Sequence, residues 1–223
     1  FSKAFFNKRG LVATFMAKWS MDYPGQSGHV HQSLVDAGGA GLFREEGAEH
    51  DMSELMRHYV AGQQKYLKPF LCLCAPTINS YKRLVEGMWA PTKITWGADN
   101  RTASFRVLPG SSKSTRLETR VPGADANPYL ALAAAIGSGL HGIENGLEPT
   151  SDAVAGNAYE VNDAVTLPPS LLDASKSMAE SQAAKDLLGE EFVNHFTKSR
   201  VWECQQYQQA VTSWELERYL EII

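Results

Sequence analysis

Two short stretches of this 223-residue chain combine strand-like alternation with side chains that bind ions. In the run HVHQSLV, residues 29–35, successive side chains of an extended backbone point to opposite faces. His29, His31 and Ser33 therefore share one face, and Val30, Gln32 and Leu34 the other. Two imidazoles two residues apart on a strand can reach one metal ion or one phosphate. A solvated strand face uses the same spacing, and spacing alone does not choose between them. In TRLETRV, residues 115–121, the same rule groups Arg116, Glu118 and Arg120 against Leu117, Thr119 and Val121. A carboxylate between two guanidinium groups is either a solvated salt-bridge row or a cation ligand flanked by arginines that grip anions in bidentate fashion. Arg83, Arg101 and Arg106 lie near the same strand-prone region. Converged, these arginines would make a phosphate and carboxylate pocket; scattered, they would be ordinary surface.

The elements that must position these residues are legible in outline. Residues 11–18 form a β-prone run, and the Gly/Pro-rich stretch 23–28 turns the chain into the histidine strand. Residues 37–41 make a glycine loop. Ser53 can then cap a helix whose Leu55, Met56, Tyr59, Val60 and Leu67 recur at helical spacing until Pro69 stops it. Residues 93–98, 102–107 and 116–121 read as antiparallel strands. Asn127-Pro128 supplies a cap and a first-turn proline for a helix that is apolar nearly all round, hence buried, with Gly146 as its stop. Residues 156–166 are polar and read as a surface flap. From Pro168 onward the pattern is helical, ending in a docked helix capped by Ser213, with Trp202, Tyr207, Val211, Trp214, Leu216 and Leu220 as its apolar contacts. Strands followed by helices predict an α+β fold built on an antiparallel sheet, with the helix after Asn127 packed behind it.

Composition narrows the partners. With 43% hydrophobic and 21% charged residues and a net charge of −4, the chain is an ordinary globular domain with no electrostatic reason to bind nucleic acid. Its partner is expected to be small. Cys72, Cys74 and Cys204 form neither a disulfide framework nor a four-ligand zinc site, which fits a reducing, cytoplasmic compartment. No apolar run approaches the roughly 20 residues of a membrane span. The opening Phe1-Ser2-Lys3 in place of Met suggests a partial chain.

The stretches NSYKRLVEGMWAP (79–91), WGADNRTASFRV (96–107) and TRLETRVPGADANPYLALAAA (115–135), with the glycine-rich run leading into HVH, resemble consecutive motifs of the glutamine synthetase catalytic domain. The resemblance covers essentially the whole chain. It implies the C-terminal part of one such domain, over residues 1–223, with the family's N-terminal domain and first catalytic strands absent. It also implies an ATP- and Mg2+- (or Mn2+-) dependent ligase that makes γ-glutamyl phosphate from glutamate and passes the acyl group to ammonia or an amine. By position, His29 and Glu118 match ligands of the metal that coordinates ATP phosphates. His31 and Ser33 match nucleotide contacts, and Lys113 the adenine end. Arg83 and Arg120 match residues holding the glutamate carboxylate and acyl phosphate, and Gly25 a glycine approaching glutamate. Arg101 and Arg106 match the clamp on the transferring phosphoryl group. The family's assemblies imply a homo-oligomer of the dodecameric double-ring type, with the C-terminal tail joining the rings.

Four departures accompany the resemblance. No Glu-x-Glu run precedes residue 11, so the other metal lacks its cage and the chain alone is expected to be inactive. Trp89 stands where ammonia-using members carry a flap glutamate that binds ammonium and takes its proton. Indole cannot take a proton but offers an apolar wall or a cation–π face to an alkylammonium. GQSGH replaces the common GSGMH pattern. Tyr159 falls where some bacterial members carry an adenylylated tyrosine, but its surroundings differ, and it reads as an ordinary exposed residue. Two alternatives remain at this point: the same first step on another carboxylate, and a non-catalytic structural relative. A scaffold would have no need of such a cluster of charges.

Overall fold

The strand-prone stretches that carry His31, Arg106 and Glu118 each contain a strand in the computed structural model, which describes residues 1–223. The strands β1 (Val30–Gln32), β2 (Trp96–Ala98), β3 (Phe105–Leu108) and β4 (Arg116–Thr119) form one sheet in the order β1-β4-β3-β2. β4 pairs antiparallel with both β1 and β3. β2 and β3 run parallel, so the sheet is mixed rather than antiparallel throughout. The strands are so short, about 10 Å for three residues, that residues 99–104 suffice to bring the chain back to the start of β2. Asp99, at φ 48°, begins the reversal. The Asn100 side chain fixes it, accepting from the Thr102 backbone N–H and hydroxyl and donating to the carbonyls of Val154 and Gly156.

The expected strand over residues 11–18 does not form. Its end is pinned by Asn79, whose side chain accepts from the Lys18 N–H at 2.8 Å and donates to the Lys18 carbonyl at 2.7 Å. Those bonds take the place of a ladder.

The helices α1 (Ser2–Asn7), α2 (Glu54–Cys74), α3 (Pro128–Glu144), α4 (Leu171–Ala179), α5 (Gln182–Leu188), α6 (Glu190–Gln209) and α7 (Ser213–Tyr219) complete the fold. Ser53 caps α2 as its sequence predicts, accepting from Met56 N–H. Pro69 does not end it. A mid-helix proline costs about 3 kcal/mol, yet Phe70, Leu71, Cys72, Leu73 and Cys74 beyond it are all buried. Burying one large apolar side chain returns about 1.5–3 kcal/mol, so packing carries the helix past the break.

α3 begins at its predicted cap, Asn127. It is buried on one side only: Tyr129, Leu132, Ile136 and Leu140 form an exposed row, while Ala131, Ala134, Ala135, Ser138, Gly139 and Gly142 face inward. The close approach of α2 selects the small residues. A side chain at Gly142 would lie 2.1 Å from the His58 carbonyl oxygen, so the two backbones meet where Gly62 and Gly142 face each other. Apolarity marked α3 as buried, but size decides which face is. Both helices lie behind the sheet, where Gln63, Leu67 and Phe70 of α2 and Ala134 and Ala135 of α3 surround a small gap against Phe105 and Thr119.

The C-terminal region is helical as expected, with α4 packed on α2 and α6. Thr212, one residue before the expected Ser213, caps α7 in a reciprocal capping box with Glu215. α7 buries no residue, and Trp202, Tyr207, Val211, Trp214, Leu216 and Leu220 are exposed, so the tail does not dock on its own chain. The segment expected as a surface flap, residues 156–166, is mostly exposed, and its end is tied to the chain leading into β2, where Ile94 N–H donates to the Val165 carbonyl. No helix is long and apolar enough to cross a membrane.

Candidate functional site

The sheet register places His31, Glu118 and Arg106 in one row across β1, β4 and β3, so all three side chains leave the same face. Glu118 is its centre and only 3% exposed. Its Oε1 lies 2.8 Å from His29 Nδ1, 2.8 Å from Arg120 Nη1 and 3.8 Å from His31 Nε2, while Oε2 accepts from Arg106 Nη1 at 2.9 Å. Arg106 also grips Asp99 at the start of the return loop. Arg116 Nε donates to His31 Nδ1 at 3.2 Å.

Electrostatics fixes the protonation of this cluster. Burial alone would raise the Glu118 pKa; the Arg106 hydrogen bond and the charges of Arg120, His29 and Arg106 outweigh it and hold the carboxyl below its ordinary value. Burial, then the Arg120 charge, lowers His29 from 6.5 to about 4, against the opposing pull of Glu118. The 2.8 Å contact is therefore a hydrogen bond from a neutral imidazole Nδ1–H to a carboxylate, and the Nε2 lone pair is free to bind. Burial also brings Arg83 down to about 10.

Behind the sheet a closed ring of hydrogen bonds sets the strands that carry the cluster. Gln32 Nε2 donates to Thr119 Oγ1 (2.9 Å), Thr119 Oγ1 to Gln63 Oε1 (2.6 Å), and Gln63 Nε2 back to Gln32 Oε1 (2.9 Å). Tyr59 OH also donates to Gln32 Oε1, at 2.7 Å. Gln32 and Thr119 are the sequence neighbours of His31 and Glu118, on the opposite face. The ring joins β1, β4 and α2 and leaves no member unsatisfied.

The other candidate residues surround the cluster at different removes. Gly25 lies against Arg83: a side chain at Gly25 would meet Arg83 Cγ at 2.4 Å, so only glycine lets the chain pass there. Arg83 is buried, its Nη2 donates to the Val121 carbonyl, and its Nε has no partner. Trp89 touches the cluster through its backbone, Arg120 Nη2 donating to its carbonyl at 3.4 Å, while the indole is 65% exposed. Arg101 is exposed in the return loop, close enough for its charge to bear on Asp99 and Arg120. Ser33 and Lys113 are exposed and do not touch the cluster. They belong to neighbouring parts of the fold, since Gly41, after β1, packs on the Ser112 backbone in the β3–β4 turn.

Three participants escaped the sequence reading. Asp99 was visible only as a turn residue. Asp125 accepts from Thr77 and Ser80 at 2.8 and 2.6 Å and bears electrostatically on Arg83. Tyr159 is half-buried rather than freely exposed, its hydroxyl donating to the Ala90 carbonyl at 3.0 Å.

Residues 1–219 match the family model described as the glutamine synthetase catalytic domain. The chain belongs to the glutamine synthetase family. It is 48% identical over 219 residues to a type-1 glutamine synthetase of Dictyostelium discoideum, covering 96% of this chain and 42% of that protein. It is 43% identical over 218 residues to a glutamate–isopropylamine ligase of a Pseudomonas species, covering 97% and 47%. It is 44% identical over 214 residues to a gamma-glutamylethanolamide synthetase of Streptomyces coelicolor, covering 96% and 45%. Among solved structures, a GmaS/ADP complex superposes with a TM-score of 0.87 at 34% identity, covering 98% of this chain and 51% of that one. The chain thus spans about half the length, or less, of these glutamine synthetase relatives.

A divalent metal, which the glutamine synthetase family implies, finds a partial fit. Neutral His29 and ionised Glu118 are a nitrogen and an oxygen donor of suitable kind. No group of three or more His, Cys, Asp or Glu side chains gathers to hold an ion by itself.

Proposed function

We propose that the protein containing this chain is an ATP-dependent ligase that joins the side-chain carboxylate of glutamate to an organic amine through γ-glutamyl phosphate. The observation that carries this reading is the ionised Glu118, buried between Arg106 and Arg120 with neutral His29 against it, in a chain of the glutamine synthetase family. A buried row of this kind is costly as mere structure and suits a site that binds anions beside a cation.

His29 and Glu118 would hold a divalent cation, Mg2+ or Mn2+, which would supply positive charge against the phosphates of ATP. Arg106 and Arg101 face the transferring phosphoryl group and stabilise the charge spread over its equatorial oxygens. His31 and Ser33 meet the nucleotide, with Lys113 toward the adenine. Arg83 and Arg120 hold the glutamate carboxylate and acyl phosphate, and Gly25 leaves the backbone open beside them. A glutamate side-chain oxygen attacks the γ-phosphorus and ADP leaves. The amine nitrogen then attacks the acyl carbon, phosphate leaves, and the nitrogen gives up a proton. The enzyme works as a ring-forming homo-oligomer, this chain being the C-terminal part of its catalytic domain.

Trp89 favours an organic amine over ammonia, and two of the relatives carry names of amine ligases. An alkyl chain on the wall of an indole gains about 0.8 kcal/mol per buried methylene, so two or three methylenes favour the amine roughly tenfold or more. Ammonia is the second reading, supported by the Dictyostelium relative's name. The test is ATP- and magnesium-dependent phosphate release by the intact protein with glutamate and a panel of amines. Trp89→Glu should raise kcat/KM for ammonia and lower it for the preferred amine. A wild type that uses ammonia better than every amine tested leaves the ammonia reading in place.

A further inference from the structure

Residues 86–90 form a turn whose backbone takes part in no backbone–backbone hydrogen bond. Glu86, Gly87, Met88 and Trp89 are all exposed. Trp89 adopts φ 56°, a left-handed conformation that is strained for a bulky side chain. Strain of this kind persists only where the surroundings enforce it, and here two side-chain donors do so on successive carbonyls. Arg120 donates to Trp89 O at 3.4 Å and Tyr159 OH to Ala90 O at 3.0 Å.

The tyrosine is itself firmly held. Lys93 Nζ donates to the Tyr159 carbonyl at 2.6 Å and to the Val161 carbonyl at 2.9 Å. The preceding Ala158 N–H donates to Thr102 Oγ1 at 2.9 Å, in the return loop that also carries Arg101. Arg120 belongs to the charged cluster and can be drawn away by an anion, whereas Tyr159 makes no hydrogen bond to that cluster and meets it only through the Arg120 charge. It is the one of the two fasteners that is not itself engaged with Glu118.

We propose that Tyr159 is a positioning residue, whose hydroxyl fixes the 86–90 turn and thereby aims the Trp89 indole at the mouth of the site. Its bearing on amine selection rests on the reading of Trp89 under Proposed function; its hold on the turn does not.

Tyr159→Phe keeps the ring packing and removes only the hydroxyl. Chymotrypsin cleavage of the Trp89–Ala90 bond, followed by mass spectrometry on the full chain, reads the open population of the turn. Losing one ordinary hydrogen bond should speed that cleavage about fivefold, with cleavage after Tyr129, on α3, unchanged as a control for folding. An unchanged rate at Trp89 overturns the proposal. In the intact enzyme the variant should raise KM for the preferred amine several-fold, with kcat and the KM for ATP little altered. Faster cleavage with an unmoved amine KM supports the hold on the turn and removes the amine-wall role of Trp89 instead.

Discussion

Glu118 is almost wholly buried and still ionised, because every neighbour on its face is a donor. His29 beside it is kept neutral, burial and the Arg120 charge bringing it to about 4 from 6.5. Below pH 6.5 an unfolded chain takes up a proton at this histidine that the folded chain refuses until about pH 4. The associated stability is complete above about 6.5 and is lost as pH falls through that window. Glu118, also held low, adds a loss of the same sign further down. Urea denaturation in chelator should therefore give a lower midpoint at pH 5 than at pH 7, and His29→Asn should flatten the difference; an equal drop in that variant assigns the acid sensitivity elsewhere. Much of this cluster was legible because period-two alternation fixes which strand residues share a face, leaving only the register to be found. Asp99 and Asp125 were not legible, since their partners are set by a reversal and a distant cap rather than by any local period.

At the level of elements, the short edge strand β1 needs more than its ladder, and the Gln32–Thr119–Gln63 ring supplies it. Gln63→Leu would leave the buried Thr119 hydroxyl hydrogen without an acceptor, while Gln32 Oε1 keeps only its bond from Tyr59, at a cost of about 1–3 kcal/mol. The readout is a lower urea midpoint at an unchanged slope, and a midpoint equal to wild type would mean that water replaces the ring at no cost. Gln32 and Thr119 could be assigned faces from sequence, but nothing in either stretch pointed to Gln63, roughly 30 and 55 residues away along the chain. The misread elements fail for related reasons. Pro69 ends a helix in isolation, and only the burial of the next turn overrides it. α3 is apolar on both sides, so hydropathy could not show that its small residues face α2 and its large ones face out. Residues 11–18 have strand propensity but take their hydrogen bonds from Asn79.

Across the whole molecule, a chain of net charge −4 concentrates arginines on one sheet face and closes that face with parts far apart in sequence. α2 and α3 make the most extensive helix contact, whereas β1 is an edge strand of three residues. Native-state hydrogen exchange should therefore release the β1 amides at a lower opening free energy than those of Leu71 or Ala134. Equal protection would mean that sheet and helix pair open as one unit. The pairing of Val30 with Thr119 and of His31 with Glu118 also has a consequence for synthesis. At about 5–20 residues per second on the ribosome, roughly 4–18 seconds separate the emergence of His29 from that of Glu118. α2 is complete well before then, so the helix waits with its polar Gln63 and Tyr59 uncovered, and the histidines have no carboxylate to meet until β4 is made. The ion-binding face thus cannot assemble until β4 has been made, and premature release of the chain before residue 118 would yield α2 without a site.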